Sequence, residues 1–398
     1  VRKLFYTFNP WWEEGFSLEL VDRSLYVSRI FDNMENKDIL LLAGLRRVGK
    51  TSIMKLAIKR LINEGVDKTR IFFVSLDDFL LNNKTILDVV DEYRLIHKVK
   101  KEEKIYLFLD EITYKENWQQ QLKNLYDRDN VKIIAGSSSS SILLDDNAYL
   151  TGRSRKMEIK PLNFNEWLDF KKIKLKEADH SLMSGYFDDY LQSGGMPEYV
   201  VNNDRAYLQN LVEQLIYKDI IAKHNIKMKS LVQELFLLLM ERGGKLLSIN
   251  NIGNILNISA SNAKRHIEYF EDTFLISLIK KYGKTNEKVT SQNKIYAGDI
   301  GIRNAYTGYR DKGAVFENYV FIQIKEKKPF YFVKDGIEID FITDRYFGEQ
   351  YLIECKYNSK LNAKQKELFD SLDIKNKLII NGFKDLNLLV DIISGRKV

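Results

Sequence analysis

Cysteine occurs once in this chain, as Cys355, and proline and histidine four times each in 398 residues. One thiol cannot close an intramolecular disulfide, and no Cys-rich zinc site can be assembled, which points to a reducing compartment. The histidines (His97, His180, His224 and His266) show no ligand spacing, so neither a zinc centre nor a Ser-His-Asp hydrolase is indicated. Four prolines leave no material for a long Pro-rich linker. Apolar runs are short as well. Phe236–Met240 is far below the ~20 residues that cross a bilayer, and no signal-peptide pattern opens the chain. The expectation from these absences is a soluble, cytoplasmic protein with no membrane partner.

What is present is abundant core material. Hydrophobic residues make up 44% of the chain, with 22 Tyr and 22 Phe, which excludes intrinsic disorder. The length predicts two or three domains. A net charge of +7 permits a nucleic-acid partner without requiring one. Ile39–Leu42, Ile71–Leu76, Ile105–Leu109 and Val131–Ala135 read as buried strands spaced for crossover helices, the pattern of a parallel α/β sheet. Leu208–Ile221 and Leu231–Glu241 read as helices. From about residue 314 strands and helices alternate again.

Between the first strand and a helical Ser52–Leu61, Gly44-Leu-Arg-Arg-Val-Gly-Lys50-Thr51 matches G-x-x-x-x-G-K-[ST] in full. Backbone N–H groups of Gly44, Arg47, Val48, Gly49 and Ser52 can wrap a phosphate at the helix N-terminus. Lys50 would reach the β- and γ-phosphates of ATP and Thr51 would ligate Mg²⁺. Ile105-Tyr-Leu-Phe-Leu-Asp110-Glu111 supplies the acidic strand end, with Asp110 for the Mg²⁺ shell and Glu111 to polarise the attacking water. Asp77 and Asp78 read as capping or loop residues. Ser137, at the tip of the fourth strand in Gly136-Ser137-Ser138, is a candidate γ-phosphate sensor; a Ser-rich turn is the alternative. Arg153 and Arg155 are candidates for stabilising transition-state charge, in cis or from a neighbouring subunit, so a homo-oligomer or nucleotide-dependent assembly is open.

Gly44–Ser52, Leu109-Asp-Glu111, Ala135-Gly-Ser-Ser138, Thr151-Gly-Arg153, Pro161-Leu-Asn-Phe-Asn-Glu-Trp167 and Gly194-Gly-Met-Pro-Glu-Tyr199 fall in one order along the chain. Together they resemble archaeal and bacterial AAA+-like ATPases, related to the signalling-ATPase branch, with a C-terminal restriction-endonuclease-like domain. The resemblance implies an α/β fold with an ASCE-type P-loop sheet (1–165), a helical lid (166–225), a winged helix (226–285) and a second, restriction-endonuclease-like α/β domain (286–398). It also implies a Gly-x-Pro segment near the nucleotide, which Met196-Pro197 matches loosely.

Leu231–Glu241, Ile249–Leu256 and Ser261–Phe270 make three short helices, with Ser259 as an N-cap and Tyr282-Gly283 as a wing tip. The third helix can bury Ile267 and Phe270 and turn Ser261, Asn262, Lys264 and Arg265 towards DNA. Residues 204–285 hold twelve Lys and Arg against eight Asp and Glu. Packing as a lid is the alternative role. In the last segment, thirteen residues separate Asp340 from Glu354-Cys355-Lys356, in an α-β-β-β-α-β order. Strand alternation puts Glu354 and Lys356 on one face and Cys355 on the other. Asp340 and Glu354 could share a divalent metal, with Lys356 positioning water, Glu317 completing the acidic shell and Gln365 assisting.

Phe8-Asn9-Pro10-Trp11-Trp12, before Glu13 and Glu14, reads as a strap packed across another domain or subunit, with base stacking as the alternative. The expected function is a Mg²⁺-dependent ATPase acting on DNA, branched or forked forms included. An ATP-gated nuclease and an ATP-driven regulatory switch are the alternatives.

Overall fold

The computed structural model describes residues 1–13, 17–144, 149–174 and 180–389. Glu14, residues 175–179 of the expected lid and the end of the C-terminal segment beyond 389 lie outside them. The chain divides into two compact units at Lys160/Pro161, each treated separately below.

In the first unit the four apolar runs become buried strands β1 (Ile39–Ala43), β2 (Ile71–Ser75), β3 (Ile105–Asp110) and β4 (Val131–Ser137), joined by β5 (Ser154–Glu158). Their order is β2-β3-β4-β1-β5, and every neighbouring pair is parallel. Near-continuous Ile, Leu, Val and Phe in β1–β4 suits strands covered on both faces by crossover helices. The helix Trp118–Arg128 shows why those crossovers pack: Trp118, Leu122 and Leu125 recur at helical spacing and are its buried residues. The N-terminal strap closes the edge of this same sheet. Asn9 donates to the Phe73 carbonyl at 2.8 Å and accepts from the Phe73 N–H at 2.7 Å. Both tryptophans donate to the Ile71 carbonyl, and Trp12 stacks on Phe72. The exposed polar edge of β2 is thereby satisfied.

The second unit contains two smaller sheets. Strands β6 (Lys245–Leu247), β7 (Ile276–Ile279) and β8 (Asn293–Ala297) pair antiparallel in the order β6-β8-β7. They pack with helices Lys229–Glu241, Ile249–Leu256 and Ala260–Asp272. Strand β8 lies beyond residue 285, so the boundary expected there cuts through this sheet. Strands β9 (Phe330–Lys334), β10 (Ile337–Ile342), β11 (Tyr351–Cys355) and β12 (Asn376–Ile380) form the second sheet, ordered β12-β11-β10-β9. β9, β10 and β11 pair antiparallel, and the helix Ala363–Ser371 carries the chain to a parallel β12.

The helical run expected over Leu208–Ile221 is two elements. Arg205–Gln214 is α-helical, and Leu215–Ala222 widens into a π-helix. Its buried residues recur five apart, Leu215 with Ile220 and Ile216 with Ile221, which the wider turn brings onto one face. Aromatic residues from the segment expected as a helical lid (166–225) pack into the C-terminal core. Trp167, Phe187 and Tyr190 share one core with Phe316, Tyr319 and Phe341 of the C-terminal part, because interlocking aromatic rings bury more area together than apart.

The Gly194-Gly195 segment is held at its centre by Asp299. This carboxylate accepts from the Gly195 N–H at 2.8 Å and the Ile302 N–H at 2.9 Å. Burial pushes its pKa up to about 6 from 3.8, although these backbone donors oppose the rise. Because the folded value is the higher one, the stability tied to protonated Asp299 is complete below pH 3.8 and is lost as pH rises through 6. The amount is about 3 kcal/mol. Thermal melts should therefore show Asp299→Asn gaining on wild type between about pH 4 and 6.5. A gap that does not move with pH would refute this assignment.

Candidate functional site

The turn between β1 and the helix Lys50–Asn63 is held by its own backbone and by a buried arginine. Gly49 caps the helix at φ +101°, a left-handed conformation that glycine adopts at least cost. Arg23 donates from Nη1 to the Val48 carbonyl at 2.9 Å and from Nη2 to the Lys160 carbonyl at 3.0 Å. Nothing near Arg23 in sequence announces this clamp, which joins positions 25 and 137 residues away. Lys50 is buried, and its ammonium donates to the Gly44 carbonyl at 2.9 Å, the Leu45 carbonyl at 3.2 Å and the Ser138 hydroxyl at 3.2 Å.

The pairing of β1 and β3 with the intervening β4 brings the acidic strand end to this turn. The Thr51 hydroxyl donates to Asp110 Oδ2 at 2.5 Å, and Asp110 Oδ1 accepts the Glu111 N–H at 3.0 Å. A side chain at Gly136 would meet Asp110 Oδ1 at 2.6 Å, so β4 passes this carboxylate only as glycine. Burial and the neighbouring Glu111 raise the Asp110 pKa, with Thr51 and Lys50 acting against them. A hydroxyl and a buried carboxylate side by side at a helix N-terminus are hard oxygen donors of the kind Mg²⁺ takes. Glu111 sits at φ +51°, and both its oxygens face Ser138: the hydroxyl bonds Oε1 and the backbone N–H lies 3.2 Å from Oε2.

The strand-tip polar residue that joins these groups is thus Ser138, one position beyond the expected Ser137. The Ser137 hydroxyl pairs with Thr113 at 2.9 Å and accepts the Ser139 N–H at 3.0 Å, because successive side chains leave a strand on opposite faces. Asp78 caps the turn Phe79–Leu81 and Asp77 accepts from Ser75, both loop roles as expected. The in-cis role for Arg153 fails. Parallel pairing sets Ile39 against Ser154, so Arg153 lies at the start of β1, about 13 Å of strand from the turn that follows Ala43. There it meets Asp127 at 3.4 Å, and Arg155 pairs with Asp38 at 2.8 Å at the same edge.

The second unit gathers the C-terminal acids. Asp340 Oδ2 accepts the Cys355 N–H at 2.8 Å, and Glu354 accepts the Asp340 N–H at 3.2 Å and the Lys356 ammonium at 2.8 Å. Gln365 lies 3.4 Å from Glu354. Glu317 accepts from the Tyr296 hydroxyl at 2.6 Å. Cys355 is buried in the core, as its place between Glu354 and Lys356 implied. A residue absent from the sequence reading stands among these acids: Lys294, 2.6 Å from Glu317, 2.5 Å from Glu338 and 3.5 Å from Asp340. Its one sequence signal is a lysine at the start of an otherwise apolar strand. Burial pushes Glu317 up to about 8 and Glu354 up to about 7, and Asp340 adds to both. Burial works to lower the Lys294 pKa, but Glu317, Asp340 and Glu338 outweigh it and hold the pKa above its ordinary value.

On the helix Ala260–Asp272, capped by Ser259 as expected, Ala263, His266, Ile267 and Phe270 are buried. Ser261, Asn262, Lys264 and Arg265 are exposed together. Arg265 donates to Asn262 at 3.0 Å, and Lys264 lies 3.9 Å from Glu268. Tyr282 is not a free tip: its N–H bonds the Tyr331 carbonyl at 2.7 Å and its ring meets Phe330 and Phe332.

Comparison with known proteins follows this geometry. Residues 36–168 match the family described as an AAA domain. Residues 184–313 and 312–390 match two domains of unknown function, DUF8612 and DUF4143. Two uncharacterized proteins of Methanocaldococcus jannaschii are 26% and 27% identical, over 88% and 92% of this chain and 82% and 87% of their own lengths. An uncharacterized protein of Haemophilus influenzae is 25% identical over 92% of this chain and 94% of its own. A Walker-type ATPase of Pyrococcus abyssi aligns at TM-score 0.47 and 14% identity, covering 72% of this chain and 96% of that one. AMPPCP-bound DnaA from Aquifex aeolicus aligns at 0.30 and 18%, covering 66% and 92%. The family match and the turn geometry together define an ATPase-like P-loop domain of the AAA type. Among the described residues no helix is long and apolar enough to cross a membrane.

Ser138 and Ser137 now separate by experiment. Ser138→Ala removes a charge-assisted hydrogen bond to Glu111, worth about 1.5 kcal/mol. Steady-state ATP hydrolysis should show kcat reduced about tenfold with KM little changed, whereas Ser137→Ala should stay near wild type. Equal effects of the two would contradict the geometry.

Proposed function

We propose that this protein is a Mg²⁺-dependent ATPase that binds DNA and couples ATP turnover to DNA processing, branched or forked DNA included. The observation that carries the ATPase reading is the convergence of Lys50, Thr51, Asp110, Glu111 and Ser138 at one end of a parallel sheet. Backbone N–H groups from Gly44 to Ser52 wrap the phosphates, and Lys50 exchanges the Gly44 and Leu45 carbonyls for phosphate oxygens. Thr51 and Asp110 are the residues that would hold Mg²⁺, which when bound neutralises phosphate charge. Glu111 orients the attacking water, and Ser138 holds Glu111 in register with Lys50.

Lys50→Ala should weaken ATP binding at least a hundredfold. Glu111→Gln should bind ATP normally with hydrolysis reduced at least a hundredfold. Calorimetry and phosphate release measure the two, and unchanged turnover in both variants would sink the ATPase reading.

The DNA reading is supported by the four-helix, three-strand module of residues 229–297. Its order (helix, strand, two helices, strand, short helix Thr285–Thr290, strand) resembles that of a winged helix with one helix added between the last two strands. Its second-last helix presents Ser261, Asn262, Lys264 and Arg265 to solvent, a composition suited to phosphates and base edges. The C-terminal α-β-β-β-α-β segment follows the order of restriction-endonuclease-like folds and is the second proposed DNA contact. Lys264→Ala with Arg265→Ala should weaken duplex or forked DNA binding and flatten the log K against log salt slope by about 2. Fluorescence anisotropy across a salt series measures both, and an unchanged slope would exclude this face from DNA contact.

A further inference from the structure

A restriction-endonuclease-like fold leads one to expect a divalent cation among Glu317, Asp340 and Glu354. With Lys294 in its midst, the donor set here does not fit one. Among the described residues, no three His, Cys, Asp or Glu side chains converge as a ligand group for a metal ion. What the carboxylates face is an ammonium. Lys294 is 2% exposed and lies 2.5 Å from Glu338, 2.6 Å from Glu317 and 3.5 Å from Asp340. The other oxygen of Asp340 accepts the Cys355 N–H, and Glu354 turns to Lys356 and the Asp340 N–H. Each of the four acids therefore already has donors supplied by the protein.

We propose that Lys294 is the resident cation of this cluster, standing where a metal would, and that the cluster latches the β6–β8 module to the C-terminal sheet instead of cleaving phosphodiesters. A buried ammonium is retained only where its desolvation is offset, and three carboxylates around one side chain provide that. A divalent ion binding the same oxygens would have to displace Lys294 or be repelled by it.

The location argues for a latch. Lys294 comes from the segment matched over 184–313, whereas Glu317, Glu338 and Asp340 belong to the segment matched over 312–390. Other ties cross the same junction. The Ala297 N–H donates to Asn318 Oδ1 at 2.8 Å, and Asn318 returns a bond to the Ala297 carbonyl at 2.9 Å. Tyr331 donates its N–H to the Lys280 carbonyl at 3.1 Å, and its hydroxyl bonds the Gln292 carbonyl at 2.5 Å. The ion cluster thus forms one part of a continuous hydrogen-bonded seam. DNA held by this domain would be bound and left intact.

The test is Mn²⁺ binding to the full chain without nucleotide, followed by calorimetry and by the electron paramagnetic resonance of free Mn²⁺. Wild type and Asp340→Asn should bind the same number of equivalents. Lys294→Met should gain one equivalent, lost again in Lys294→Met/Asp340→Asn. Loss of one equivalent in Asp340→Asn alone would overturn the proposal. So would a Lys294→Met variant with a wild-type circular dichroism spectrum and no added ion. The comparison of wild type with Asp340→Asn decides the matter even if Lys294→Met does not fold. Plasmid incubated with Mn²⁺ and wild type should stay uncut, and cleavage abolished by Asp340→Asn would also overturn it.

Discussion

Backbone pairing of β4 with β1 on one side and β3 on the other is the constraint on which the phosphate-binding end depends. Leu42 opposes Gly136 and Leu109 opposes Ala135. A parallel sheet brings every strand to its carboxyl end on the same edge, so residues just past each strand meet there. That places Lys50, the Asp110–Glu111 pair and Ser138 within hydrogen-bonding reach although up to 88 residues separate them. Arg153 shows the same rule in reverse. As the residue before β5 it is carried to the opposite edge. Position relative to a strand, more than distance along the chain, decides which charges join the site.

The second unit solves a different problem with the same economy of means. Two ammonium groups, from Lys294 and Lys356, serve four acids in a largely buried junction. The upward shifts of Glu317 and Glu354 are the expected response to that imbalance, since burial disfavours charge and a neighbouring carboxylate repels it. A protonated carboxyl costs less to bury than an unpaired carboxylate. Such a cluster contributes registry between the two sheets more than net stability, because ion-pair gain and desolvation nearly cancel. The two units thus use buried charge for separate purposes: Asp110 beside a phosphate-binding turn, and Lys294 across a seam.

Much of this was legible along the chain because the signals were local. The P-loop is eight consecutive residues between a strand and a helix, and β1–β4 are mainly apolar runs whose ends fall within a residue or two of expectation. Ser259 as a cap and Cys355 as a packing residue followed from periodicity alone. Ser138 was within one residue of recognition and was missed because which of two adjacent serines faces the lysine depends on the pleat at the strand's end. The segment expected as a lid, residues 166–225, is a different case. Helical periodicity shows that a face is apolar, and leaves open what covers it; here Trp167, Phe187 and Tyr190 are covered by the C-terminal core.

By itself the sequence determined the elements, their alternation and the chemistry of the phosphate-binding turn, since each depends on neighbours a few residues apart. Only the tertiary structure decided which distant charges meet. Arg23 on Val48, Ser138 between Lys50 and Glu111, and Lys294 among Glu317, Glu338 and Asp340 are all long-range encounters. Such meetings follow from strand order and register, which local propensity does not encode. Even the lone cysteine, the rarest residue in the chain, takes its meaning there: its N–H holds Asp340 while its thiol is buried in the core.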